Sequence, residues 1–197
     1  VDVTTGAVVN NDYHALTTEL ALGFKDFISP DAPDIYPEEL RADIDALNVI
    51  IYADFNLAVN LAALVTNQKD YEYYYDRIFA CLDWLEELLS KQRYLMGDTI
   101  TDSDIRIFPT LARFDLVFYQ KYLVNKKRLV DYPNLWNYAK DLYSNPAFGG
   151  TTDFDSMRKR FYYVDHTPFE DLPRLVPKGP DDSIWLEPND RAEKFGK

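Results

Sequence analysis

The sequence predicts a mainly α protein: a helical bundle preceded by a short β-hairpin and a single helix. Three observations carry that reading. After residue 37, apolar side chains recur every three to four positions through long runs, which marks one buried face per helix. A helix-start signature stands at Thr101–Asp104. Only residues 1–9, "VDVTTGAVV", read as strands, two short ones around Thr4–Thr5–Gly6.

The elements follow in order. A lone hairpin is marginal in water, so the first nine residues read as the end of a sheet whose other strands are absent. Asn10, Asn11 or Asp12 can cap a helix running to about Phe24. Residues 25–36, "KDFISPDAPDIY", carry two prolines and read as a linker. From Pro37, a residue suited to a helix start, Leu40, Ile44, Leu47, Ile51, Phe55, Val59 and Ala62 share one face of a run to about Val65. A second helix starts near Lys69, with Tyr71, Tyr75, Ile78, Leu82, Leu85 and Leu89 inward. The stretch "TITDSDI" opens a third, from Asp102 to about Tyr119. Thr101 suits the N-cap and Asp104 the N3 position of a capping box, with Ile100 and Ile105 as a hydrophobic staple. An acidic residue in the first turn also suits the helix dipole. Ile105, Phe108, Leu111, Ala112 and Leu116 point inward, and Pro109 predicts a kink. "DYPNLWNYAKDLYSN" gives a helix with Leu135, Tyr138, Ala139 and Leu142 inward, stopped by Pro146. "FDSMRKRFYYV" gives the last helix. The tail from His166 is rich in proline and reads as extended coil.

Composition narrows the function. The chain has 197 residues, 47% of them hydrophobic, enough for one large domain or one domain with a piece of another. A net charge of −12 disfavours nucleic acid and anionic membrane as partners. The basic clusters Lys126–Lys127–Arg128 and Arg158–Lys159–Arg160 read as solvated surface. The lone Cys81 rules out an internal disulfide framework and fits a reducing compartment, so a cytoplasmic location is expected. Neither a signal peptide nor an 18-residue apolar run is read, so no membrane span is expected. The first residue is Val rather than Met, and the chain reads as processed, trimmed or cut from something longer. His14 and His166 lie far apart with no Cys or acidic residue at ligand spacing, so no metal is expected. Tyr71, Tyr73, Tyr74 and Tyr75 read as amphipathic helix faces, although such rings can also stack on a planar ligand.

The order of parts, with Thr-x-x-Asp behind an isoleucine at the third major helix, resembles a glutathione transferase, where this pattern sits at the central helix of the C-terminal domain. The segments "DIYPEELRADIDALN", "RYLMGDTITDSDIRIFPTLARFD", "DYPNLWNYAKDLYSNPAF", "DFDSMRKRFYY" and "VPKGP" together resemble the Xi-class, omega-like glutathionyl-hydroquinone reductases, over about residues 5–180.

The resemblance implies an enzyme whose thioredoxin-like half carries a Cys-Pro-Trp-Ala motif. Its cysteine attacks the sulfur of a glutathionyl-hydroquinone and releases the hydroquinone, and a second glutathione resolves the mixed disulfide. This sequence lacks the motif, and Cys81 reads as a packed core thiol. The chain is therefore expected to be the acceptor-binding C-terminal half, in four parts. Residues 1–24 would be the end of a thioredoxin-like domain, 25–36 the linker, 37–165 the helical domain, and 166–197 a proline-rich tail. The resemblance also implies glutathione as the thiol, an aromatic, quinone-type acceptor, and a homodimer.

Its site residues carry over as follows. An acidic residue and a serine that hold the γ-glutamyl end match Asp12 and Tyr13. The acid is kept and the serine is not, which leaves open another γ-glutamyl or low-molecular-weight thiol; Asp12 read alone is an N-cap. The tyrosine facing the sulfur corresponds to Asn60, and the lysine after it to Leu61. The paired C-terminal tyrosines match Tyr162 and Tyr163, or Phe161 and Tyr162 with a one-residue offset. "RFD" is intact as Arg113–Phe114–Asp115, where Arg113 and Asp115 read as structural, and a nearby tyrosine is Phe118. Asn60, Arg113 and Phe118 would line the acceptor pocket. The rival reading is a non-catalytic binding or dimerisation domain of the same fold.

Overall fold

Asp12 opens the first helix. Its carboxylate accepts from the His14 amide at 2.8 Å, and α1 runs Tyr13–Gly23. The structure, a computed structural model, describes residues 1–163 and 175–196. The boundary at 165–166 and His166 therefore lie outside the described residues.

Ahead of α1 the expected hairpin is not formed. Residues 1–9 reverse direction without a strand, and no strand occurs among the described residues. The Asp2 carboxylate accepts from the Thr4 and Thr5 amides at 2.7 and 3.0 Å. Backbone bonds then join Asp2 to Gly6 and Ala7. Val3, Val8 and Val9 remain exposed, so no apolar neighbour rewards extending the ladder. The linker is only partly irregular. It holds a 3-10 turn at Lys25–Phe27, and its end is pinned where the Asp102 amide donates to the Ile35 carbonyl at 2.8 Å.

The long helical run divides into a 3-10 turn at Glu38–Leu40, α2 at Arg41–Ile51, a π-helical turn at Tyr52–Asn56 and α3 at Ala58–Leu64. Ile44, Leu47, Ile51, Phe55, Val59 and Ala62 are buried, as their spacing predicted. Contrary to expectation, Glu38–Leu64 is long and apolar enough, by length and composition, to cross a membrane. Its buried face belongs to the core, where α3 packs along α4, Gln68–Leu89.

α5 spans Asp102–Arg113, with Pro109 inside it, and continues through a second π-helical turn, Phe114–Phe118, into α6, Tyr119–Lys121. The capping box closes its start. The Thr101 amide donates to Oδ2 of Asp104 at 2.8 Å, and the Thr101 hydroxyl donates to the same oxygen at 3.0 Å. Ile105 is only half-buried; Ile107 is the fully buried isoleucine. The two π-helical turns face each other through Phe55 and Phe114, with ring centroids 5.9 Å apart.

In α7, Pro133–Ser144, the four residues read as inward are all fully buried. Pro146 does not simply stop this helix; it starts a further turn, α8, Pro146–Gly149, before α9, Phe154–Tyr163. The tail corrects the expectation of extended coil. A 3-10 turn at Asp182–Leu186 buries Trp185 against Trp136, with ring centroids 4.7 Å apart. α10, Arg191–Phe195, buries Arg191, which donates to the carbonyl of Leu89, the last residue of α4, and to those of Gln92 and Arg93 in the turn that follows. The last helical carbonyls have few partners within the helix, and a cation suits that end. Arg158, read as solvated, is buried too; it holds the tail through Asp182 and the Pro180 carbonyl.

Candidate functional site

The first turn of α1 meets the bundle through one cation and three rings. Arg106 on α5 donates to the carbonyls of Tyr13 (3.3 Å) and His14 (2.8 Å) and to the Thr17 hydroxyl (2.5 Å). The guanidinium also lies over the Tyr13 ring, 5.7 Å from its centroid. Tyr52, at the start of the first π-helical turn, stacks beside Tyr13 at 5.6 Å and edge-on to His14 at 4.3 Å. Tyr13 therefore packs where the resemblance expects a serine, while Asp12 caps the helix and stays exposed.

Behind Arg106 stands a buried carboxylate. Asp102, one turn earlier on α5, pairs with Arg106 at 2.5 Å and accepts from Asn48 of α2 at 2.8 Å. Oδ1 of Asp102, Oδ1 of Asn48 and Oγ of Ser103 are buried without a hydrogen-bond partner. The node thus carries an uncompensated polar cost.

The π-helical turn points Asn56 at α5. Its amide donates to the Arg106 carbonyl at 3.0 Å and its oxygen accepts from the Thr110 hydroxyl at 2.7 Å. Asn60 donates to the Asn56 carbonyl at 2.9 Å. The expected site residue Asn60 is thus linked to the Asp12–Tyr13 turn through Asn56 and Arg106.

The remaining expected residues gather in a second group. Phe118 is buried beside Tyr122 and Phe161, with centroids 5.5 and 6.2 Å away. The Tyr162 hydroxyl donates to the Leu116 carbonyl at 3.3 Å, and burial raises its pKa. Tyr163 is exposed, so Phe161 and Tyr162 are the pair that faces inward. Arg113 is half-buried, donates to the Pro109 carbonyl at 2.6 Å, and has its pKa lowered by burial. Asp115 does not pair with it. It accepts instead from the Leu129 and Val130 amides at 2.6 and 3.3 Å, and burial raises its pKa against the pull of those bonds.

Cys81 lies in α4 at 5% exposure. Burial first, and the Asp54 charge second, push its thiol up to about 12. A thiol so held is not a thiolate at neutral pH and has no access to a substrate sulfur. Asp104 is equally structural. It is fully buried and also accepts from the Leu95 amide (3.1 Å) and the Tyr138 hydroxyl (2.7 Å). Among the described residues no group of three His, Cys, Asp or Glu side chains can hold a metal ion.

Apart from these groups, an open cavity of about 1000 Å³ lies between the linker and the start of α5, walled by Ile35, Leu40, Ile100, Ile105, Phe108 and Phe148 among others. A second, of about 600 Å³, lies on α1, lined by Leu16, Leu20 and Phe24 with Val1 and Val9. Neither includes Asn60, Arg113 or Phe118.

Sequence reasoning missed Asn48, Tyr52, Asn56 and Arg106. The one available signal was Asp102 and Arg106 spaced one helical turn apart, next to the buried Ile107 and Phe108.

Residues 69–141 match the family model "Glutathione S-transferase, C-terminal domain". The chain is 35% identical over 173 residues to glutathionyl-hydroquinone reductase PcpF of Sphingobium chlorophenolicum, covering 88% of this chain and 54% of that one. Among solved structures it superposes on a glutathione transferase from Gordonia bronchialis with a TM-score of 0.93 at 42% identity, over 100% of this chain and 61% of that chain. It superposes on the glutathione S-transferase Xi of Phanerochaete chrysosporium with a TM-score of 0.82 at 35% identity, over 90% and 57%. The chain thus spans little more than half the length of these relatives.

Proposed function

We propose, for a chain that belongs to the glutathione transferase superfamily, that it is the acceptor-binding half of a glutathionyl-hydroquinone-reductase-like enzyme, removing glutathione from hydroquinone conjugates in a thiol-dependent reaction. The observation that carries this reading is the burial of Cys81 in a chain with Xi-class relatives. The thiol that attacks is then not Cys81, and the chain's share of the work is binding and orientation.

Asp12 fits one end of a γ-glutamyl thiol. The helix cap engages its Oδ1, so Oδ2 can receive the ammonium group of the γ-glutamyl end. Tyr13 lays its ring beside Tyr52, where the resemblance places a serine hydroxyl. The sulfur that leaves is the conjugate's own glutathionyl sulfur: it bonds to the attacking thiolate as its bond to the ring carbon breaks and that carbon takes a proton, and added glutathione then resolves the mixed disulfide. Asn60 carries no phenol to protonate the departing hydroquinone oxygen. Tyr162 is a candidate acceptor-site ring at the edge of the Phe118 group, with Arg113 on the helix before it and Tyr163 outside. The apolar outer face of α1, with Leu16, Leu20 and Phe24 exposed, is the surface we assign to the rest of a thioredoxin-like half. Loss of the phenol at Asn60 supports a second reading, a domain of the same fold that binds or dimerises without turnover.

Steady-state turnover of a glutathionyl-hydroquinone by the intact protein separates the two. The first reading expects turnover that depends on added glutathione and an Asp12→Asn variant whose KM for glutathione rises about tenfold, as for loss of one charge-assisted bond. Absence of any turnover supports the binding domain.

A further inference from the structure

We propose that Arg106 is a positioning residue: it fixes the first turn of α1, and with it Asp12, at the edge of the helical domain. The inference rests on the assignment of Asp12 to a γ-glutamyl thiol.

None of the side chains of α1 is buried. On the side of α1 that meets the bundle, hydrophobic burial, the usual source of helix placement, therefore contributes little; the apolar outer face is the one assigned above to the rest of a thioredoxin-like half. What reaches it from the bundle is Arg106, with three hydrogen bonds onto Tyr13, His14 and Thr17, together with the Tyr52 ring. The guanidinium is suited to that task. It is a planar fork with several donors in fixed directions, so one side chain can grip two successive carbonyls and a hydroxyl at once. A lysine ammonium at the same place keeps the charge and loses the fork.

Arg106 is itself held from behind. Its Nε donates to Asp102, which is fully buried, and Asp102 is held by Asn48 and by its own amide on the Ile35 carbonyl. The same node thus ties α5, α2, the linker and α1. A buried ion pair is often neutral to replace as a pair, whereas breaking one partner strands the other charge. This separates a positioning role from a merely structural one.

The test uses the intact protein with glutathione and a glutathionyl-hydroquinone. The paired variant Asp102→Asn/Arg106→Gln removes both charges and strands neither. Arg106→Lys retains charge without the fork. Thr17→Val removes a single acceptor, and Asp12→Asn is the control for the thiol site. We expect KM for glutathione to rise about tenfold in the paired variant and in Arg106→Lys, and about threefold in Thr17→Val, with kcat within twofold. Amide exchange over residues 15–23 should quicken in the paired variant while residues 78–89 stay protected. If Asp12→Asn raises KM but the paired variant and Thr17→Val leave it unchanged, the positioning role is overturned and the thiol assignment stands. If Asp12→Asn is without effect, the thiol assignment fails and the inference falls with it.

Discussion

Cys81 sits where its titration becomes a stability effect. An ordinary thiol ionises near 8.5, while burial holds this one up to about 12 in the folded chain. Between those values the unfolded chain releases its proton first and the native state binds more protons, so stability falls as pH rises. The wild type should therefore lose roughly 2 kcal/mol relative to Cys81→Ala between pH 8 and pH 10. Urea unfolding of both proteins at the two pH values measures this. A difference that stays constant would mean that the native thiol ionises freely. The burial of Cys81 beside Ile78 and Leu82 was legible in the sequence, because helical spacing puts it near the buried face, although Trp84, read as a further neighbour, is exposed. So was the cap at Asp12, whose partner is two residues away. Arg106 was not legible as a clamp, because the groups it grips belong to a helix in another part of the chain. The packing of Tyr13 was not legible for a related reason. Its place beside Tyr52 depends on how two elements dock, which no local pattern encodes.

At the scale of the element, the start of α5 is the most strongly specified feature. Thr101 and Asp104 bond each other, and Asp104 also receives the Leu95 amide and the Tyr138 hydroxyl, all in a fully buried setting. Thr101→Ala should cost about 1 kcal/mol. Asp104→Ala should cost more, roughly 2–4 kcal/mol, because it leaves buried donors from three residues unpaired. The double variant should lose less than the sum, since the Thr101–Asp104 bonds are counted once. Chemical denaturation of the four proteins decides it, and strict additivity would remove the capping box from this account. The helices were readable because their apolar period and their caps are local. Three features were not. The hairpin at residues 1–9 has the right residues, but its valines have no surface to cover. The π-helical turns answer to partners across the bundle: Asn56 meets Arg106 and Thr110, and Phe55 meets Phe114. In the tail, proline content hid two anchors, Trp185 and Arg191, whose burial depends on α4, α7 and α9 being already in place.

On the scale of the whole molecule, the groups proposed to bind the thiol and acceptor lie apart from the one cysteine. The bundle supplies a buried core, an ion-pair node that reaches α1, and an aromatic group around Phe118, Phe161 and Tyr162. Its one cysteine is locked in the centre of α4. The chain spans little more than half the length of the relatives that share this fold, and the outer face of α1, with Phe24 just past its end, carries exposed leucines and a phenylalanine. The central claim is that this chain binds and orients while the attacking thiol lies outside it. The most direct measurement is turnover of a glutathionyl-hydroquinone by the purified 197-residue chain and by its Cys81→Ser variant, with glutathione added. Neither protein should show thiol-dependent turnover. Turnover by the wild-type chain that Cys81→Ser abolishes would contradict that claim, and would place the nucleophile on a thiol that the structure buries.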